Sequence, residues 1–183
     1  MRAILLDRDG VINRKAPAGE YISTLAQFRL LPGAVEAMAA LGRSGFEIFV
    51  VTNQRGVARG RVSRWQLERM HDSLIEAVEC AGGHIRQIYV CPHDDSDACA
   101  CRKPKAGMLL QAIRDYQIEP ARSWMIGDSA CDMLAGKAAG CRTLFIGAPE
   151  SSVPADACAE SLRSAAEMIQ TVLHRQVSMT HDL

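Results

Sequence analysis

The chain has 183 residues, with 21 basic and 21 acidic side chains and a formal net charge of zero. That length suits one domain with a proper core and is too short for two large ones, while the balanced charge argues against a nucleic-acid or membrane-surface partner. No apolar run approaches the length of a bilayer span, and the start Ala3-Ile4-Leu5-Leu6, followed by an acidic motif, is unlike a signal peptide, so a cytoplasmic protein is expected.

Short apolar runs rich in β-branched residues alternate with stretches of helical period, the pattern of an α/β fold: a Rossmann-like open parallel sheet with helices on both faces. The first strand is expected at Ala3 to Leu6. A helix starting near Pro32 then carries Val35, Met38 and Leu41 and stops between Gly42 and Gly45. The second strand is Phe46 to Val51, and the capping-box pattern Ser63-Arg64-Trp65-Gln66 opens a helix with Leu67, Met70, Leu74, Ile75 and Val78 at helical spacing before Gly82-Gly83. Further strands are expected at Ile88 to Val90, Trp124 to Ile126 and Thr143 to Ile146. Helices are expected at Met108 to Tyr116, Asp132 to Ala139 and Ala157 to Leu173. Residues 1–175 read as one catalytic domain and 176–183 as a tail.

In open α/β sheets, ligands bind beyond the carboxyl ends of the strands. Asp7-Arg8-Asp9-Gly10 follows the first strand, and taken alone it fits an acidic turn as well as a site. Thr52-Asn53-Gln54 follows the second, offering a hydroxyl and two amides that suit either phosphate oxygens or a helix cap. Gly127-Asp128 with Asp132 follows the strand at Trp124, where a capping aspartate is the plainer explanation of Asp128. Three strand ends supplying these groups in this order are poorly explained by caps alone. On these motifs the sequence resembles the haloacid dehalogenase superfamily of phosphotransferases, over essentially its whole length.

The resemblance implies a magnesium-dependent phosphatase. Asp7 is the implied nucleophile, and Asp9 is the acid and base that serves the leaving oxygen and then water. Thr52, Asn53 and Lys103 hold the phosphate oxygens. Mg2+, a hard cation that prefers oxygen ligands, is held by Asp7, the backbone carbonyl of Asp9, and Asp128.

A second feature stands on its own residues. Cys91, His93, Cys99 and Cys101 make Cys-x-His-x5-Cys-x-Cys, a four-ligand set suited to tetrahedral Zn2+ with no open position, hence structural. A disulfide-prone loop is the alternative, disfavoured in a reducing compartment. The remaining cysteines of the seven read as small core residues. Arg102 and Lys103 come directly after the last ligand, so the zinc loop is expected to aim both toward the phosphate pocket.

Neither interval between motifs leaves room for a cap domain. Among uncapped relatives, Asp7-Arg8-Asp9-Gly10, the stretch Thr52 to Gly60, Cys91 through Pro104, and Gly107-Met108 resemble the branch that holds heptose-bisphosphate and histidinol-phosphate phosphatases, with the heptose enzymes the nearer match. The implied substrate is a small phosphorylated sugar, met also by Gln54, Arg55, Arg102 and Ser129. The segment Asn13 to Tyr21 departs from the Asn-x-Asp-x-Gly-Tyr pattern common in heptose enzymes. His71 and His84 read as packing or surface imidazoles, and a monomer is expected. A zinc-stabilised binding module without catalysis is the competing reading. It fits poorly, because every motif residue named above is present.

Overall fold

The computed structural model describes residues 1–148 and 154–179, with 174–179 described by backbone alone. Six parallel strands form one sheet: β1 (Ala3–Leu6), β2 (Glu47–Asn53), β3 (Ile85–Cys91), β4 (Trp124–Gly127), β5 (Arg142–Ile146) and β6 (Ala157–Ala159). Their order is β3-β2-β1-β4-β5-β6. The helices are α1 (Ala34–Arg43), α2 (Arg64–Cys80), α3 (Gly107–Tyr116), α4 (Ala130–Ala138) and α5 (Leu162–Met179). This is the expected doubly covered sheet, with no cap domain among the described residues.

Both faces of the sheet are covered, so its central strands are apolar without alternation. Ile4, Leu6, Ile48 and Val50 face α1, α2 and α5, whereas Ala3, Leu5, Phe49 and Val51 face α3 and α4. All four residues of β1 are completely buried. Strand order runs outward in opposite senses from β1 and β4, which makes the cleft beyond their carboxyl ends the topological switch point, where ligands bind in such sheets.

Most expected elements are found, with shifts that have local causes. Pro32 precedes α1 rather than opening it: Gly33 is the N-cap, in the left-handed region with φ 76°. The Ser63 hydroxyl caps α2 by accepting from the Gln66 amide at 3.1 Å. At the C-terminal side, the helix expected from Ala157 begins only at Leu162, and residues 157–159 are strand β6. Asp156 imposes this. Its carboxylate accepts from the Thr143 amide (2.8 Å) and hydroxyl (2.7 Å), and its own amide donates back to the Thr143 hydroxyl (3.1 Å), which clamps the chain onto the edge of β5. Helix α5 continues to Met179, past the start of the expected tail, while residues 180–183 lie outside the described residues. Among the described residues, no helix is long and apolar enough to cross a membrane.

Candidate active site

The first aspartate is fixed by the sheet itself. Its backbone amide donates to the Ile126 carbonyl at 2.9 Å, continuing the β1–β4 pairing one residue past the strand. Its side chain meets Lys103, whose side chain is only 2 % exposed and whose ammonium has three acceptors: Asp7 Oδ1 at 2.7 Å, Asp132 Oδ1 at 2.6 Å and the Val51 carbonyl at 2.7 Å. Burial drives the Asp7 carboxyl up, and the pull of the Lys103 charge opposes that against the like charge of Asp132 and Asp9, leaving it at about 7. Burial works against the Lys103 charge too, but Asp7 and Asp132 outweigh it and hold the ammonium above its ordinary range.

Lys103 is placed by its neighbours on both sides. The Asn53 amide donates to the Lys103 carbonyl (3.0 Å) and accepts from its amide (3.1 Å). On the other side lie Cys91, His93, Cys99 and Cys101, whose ligand atoms lie within 4.8 Å of one another. The sulfur separations run from 3.1 to 3.6 Å, and His93 Nδ1 is 3.2 Å from Cys101 Sγ. Edges of this size suit a tetrahedron with metal–sulfur bonds of about 2.3 Å. None of these cysteines forms a disulfide.

Asp9 sits in a ring of donors. Arg8, 1 % exposed, reaches its two oxygens from Nη2 at 2.9 and 3.1 Å; Asn13 Nδ2 adds a bond at 2.8 Å and Gln54 Nε2 one at 2.7 Å. Burial raises the Asp9 pKa, yet Arg8 and these hydrogen bonds prevail and hold it below the ordinary carboxylate range. Behind Asp9, Arg8 packs over the Phe28 ring and its Nη1 lies 3.2 Å from His71 Nε2.

Asp128 closes the site from β4. The Lys15 ammonium donates to its Oδ2 at 2.8 Å, and its Oδ1 is buried without a hydrogen-bond partner. Burial lifts the Asp128 carboxyl, with the bond to Lys15 opposing. Gly10, at φ +95°, is required here, since a Cβ on it would collide with Asp128 Oδ2. Helix α4 is capped by Ser129 and not by Asp128: Asp132 Oδ2 accepts from the Ser129 amide (3.1 Å) and hydroxyl (2.6 Å). That frees Asp128 for another task.

Asp7, Asp128 and Asp132 bring carboxylate oxygens within 4.8 Å of one another. An oxygen cluster with an orphaned buried acceptor fits a hard divalent cation, and magnesium suits it. The Asp9 carboxylate is outside this cluster. The cavity above has a volume of about 410 Å³ and is walled by residues 15–22 on one side and Asn53 to Gly56 on the other.

Several expected groups have partners inside the protein. The Asn53 amide is engaged by the Lys103 backbone, the Gln54 amino group by Asp9 and the Thr52 hydroxyl (2.9 Å), and the Ser129 hydroxyl by Asp132. Arg55 and Arg102 border the cavity and converge on Asp95, at 3.2 and 2.5 Å. Sequence reading did not find Lys15, the role of Arg8 or the bond from Asp132 to Lys103. Only the last had a signal, the Gly-Asp-x-x-x-Asp spacing.

Comparison with known proteins points to one family. The model of the haloacid dehalogenase-like hydrolase family matches residues 5–140. The chain is 41 % identical over 143 residues to the D-glycero-beta-D-manno-heptose-1,7-bisphosphate 7-phosphatase of Pseudomonas aeruginosa, covering 78 % of this chain and 79 % of that one. It is 41 % identical over 164 residues to the enzyme of the same name from Pseudomonas putida, covering 84 % and 93 %. The crystal structure of the D,D-heptose 1,7-bisphosphate phosphatase of B. bronchiseptica, complexed with magnesium and phosphate, superposes with a TM-score of 0.84 at 33 % identity, covering 93 % of this chain and 99 % of that one. The chain belongs to the haloacid dehalogenase-like hydrolases.

Proposed function

We propose that this chain is a magnesium-dependent phosphatase that removes the C7 phosphate of D-glycero-β-D-manno-heptose 1,7-bisphosphate, on the route to nucleotide-activated heptose for lipopolysaccharide. The observation that carries the reading is the buried Asp7–Lys103–Asp132 set facing Asp128, in a chain 41 % identical to enzymes named for that reaction. Asp7, Asp128 and the Asp9 backbone carbonyl would hold magnesium, which would supply charge neutralisation at the reacting phosphate.

Asp7 attacks phosphorus through a carboxylate oxygen as the bond from phosphorus to the C7 oxygen breaks. Asp9 gives the departing oxygen a proton. Three neighbouring donors favour its ionised form, which suits its later work of taking a proton from the water that cleaves the aspartyl phosphate. The arriving phosphate brings negative charge that raises the affinity of Asp9 for the proton it must first carry. Thr52 and Lys103 meet the phosphate oxygens. Asn53, Gln54 and Ser129 act by positioning Lys103, Asp9 and Asp132. Arg55 and Arg102, set by Asp95, face the sugar and its second phosphate.

The Cys91, His93, Cys99 and Cys101 cluster holds structural zinc, and the free thiols suit a reducing compartment such as the cytoplasm. A single-domain monomer is the working unit of this proposal. The test is phosphate release with magnesium from the β and α heptose 1,7-bisphosphates and from histidinol phosphate, compared by kcat/KM. A preference of about tenfold or more for the β-heptose is expected. Preference for histidinol phosphate overturns the substrate assignment.

A further inference from the structure

Lys15 stands apart from the other cations around the cavity. Among the described residues, Lys103 and Arg8 are buried, Lys103 with three acceptors and Arg8 against Asp9 and His71, while Arg55 and Arg102 are tied to Asp95. Lys15 has 58 % of its side chain exposed and is held by one bond, to Asp128 Oδ2. The backbone that carries it is anchored near both ends. Asn13, fully buried, bridges to Asp9 and Leu30, and the Tyr21 hydroxyl accepts from Arg59 at 3.2 Å. The four-carbon stem can therefore swing its ammonium between Asp128 and the cavity without moving the loop.

The local charge makes that swing consequential. Asp7, Asp128 and Asp132 cluster at the site, and Lys103 neutralises one carboxylate charge, leaving the group a net anion that Lys15 further offsets. A divalent cation drawn to the same oxygens competes with the ammonium by simple repulsion across a few ångströms. Once a metal balances the carboxylates, a phosphate dianion in the cavity becomes the strongest anion within reach of Lys15.

Resting on the reading of the carboxylates as a magnesium site, we propose that Lys15 is an exchanging counter-ion: its ammonium pairs with Asp128 in competition with magnesium and passes to the phosphate of the substrate when the metal binds. The residue then sets two affinities in opposite directions, holding back the metal and favouring the phosphate.

Calorimetric titration of the full chain with magnesium, and then with inorganic phosphate at saturating magnesium, tests this in wild type, Lys15→Met and Lys15→Arg. Lys15→Met is expected to bind magnesium about tenfold more tightly and phosphate about tenfold more weakly, the scale of one unit charge at about 4 Å under near-water screening, as suits a side chain 58 % exposed. Lys15→Arg, which keeps the charge, is expected to stay within about twofold of wild type on both measures. Weaker magnesium binding by Lys15→Met overturns the proposal, because Lys15 then orients Asp128 for the metal. Unchanged magnesium or unchanged phosphate affinity overturns the exchange while leaving the magnesium reading intact. If wild type binds no magnesium, the reading itself falls and the proposal with it.

Discussion

Arg8 and His71 show how a buried charge is kept in place behind a reactive one. Arg8 is neutralised by Asp9, and His71 must stay uncharged beside it. Burial, and then the Arg8 charge, bring the imidazole from about 6.5 to about 4. Between those values the unfolded chain binds a proton that the folded chain does not, so stability rises with pH across the window. The contribution is whole above about 6.5 and is lost as pH falls toward 4. Lys15, Arg8 and His71 were not legible as site residues, because a lysine in an irregular loop and a histidine on α2 carry no spacing that points to a partner distant in sequence. Asp7, Asp9 and Asp128, which line the cavity, could be expected there because each lies just past a strand end, and strand ends are readable from apolar runs; Thr52, expected beside them, is fully buried in β2 and its hydroxyl accepts from Gln54. His71→Gln keeps an acceptor for Arg8 without a titrating ring. Denaturant unfolding should show the loss of stability between pH 7 and pH 5 reduced by about 1–2 kcal/mol in this variant, and an undiminished loss would place the titration elsewhere.

At the scale of elements, the zinc loop and β6 mark what sequence conveys and what it hides. The candidate metal-binding set of Cys91, His93, Cys99 and Cys101 announces itself by residue type and spacing, and the structure brings the four ligand atoms within 4.8 Å of one another. Strand β6 does not announce itself: Ala157-Cys158-Ala159 has neither β-branched residues nor alternation, and its pairing with β5 depends on the Asp156 clamp on Thr143, a contact between segments. On the proposed reading, a zinc-held loop would bear on catalysis through Lys103. This residue comes two positions after Cys101, so a loosened cluster should release the ammonium from Asp7 and Asp132. Cys99→Ser is expected to lower zinc content well below about one per chain and to reduce the melting temperature by on the order of 5 °C. It is also expected to reduce kcat/KM by about tenfold or more while magnesium affinity changes less. Unchanged kcat/KM in zinc-depleted Cys99→Ser would separate the loop from catalysis.

At the scale of the whole molecule, the sheet order decides where chemistry sits. Because β1 and β4 are neighbours, residues 7 and 128 meet across the switch point although more than half the chain separates them. The alternation of strands and helices made this architecture readable in advance. The strand order was not, since apolar periodicity gives the strands but not their neighbours. Among the described residues no cap domain covers the site, so the loop walls that border the cavity, residues 15–22 among them, are where substrate selectivity would be set. The nucleophile carries the whole functional reading, and it can be tested by trapping. Protein turning over heptose 1,7-bisphosphate with magnesium is quenched in acid, and the phosphorylated peptide is identified by mass spectrometry. The expected result is a phosphoryl group on the peptide containing Asp7, absent in Asp7→Asn together with phosphate release; normal turnover by Asp7→Asn, or a phosphoryl group on a different peptide, would contradict it.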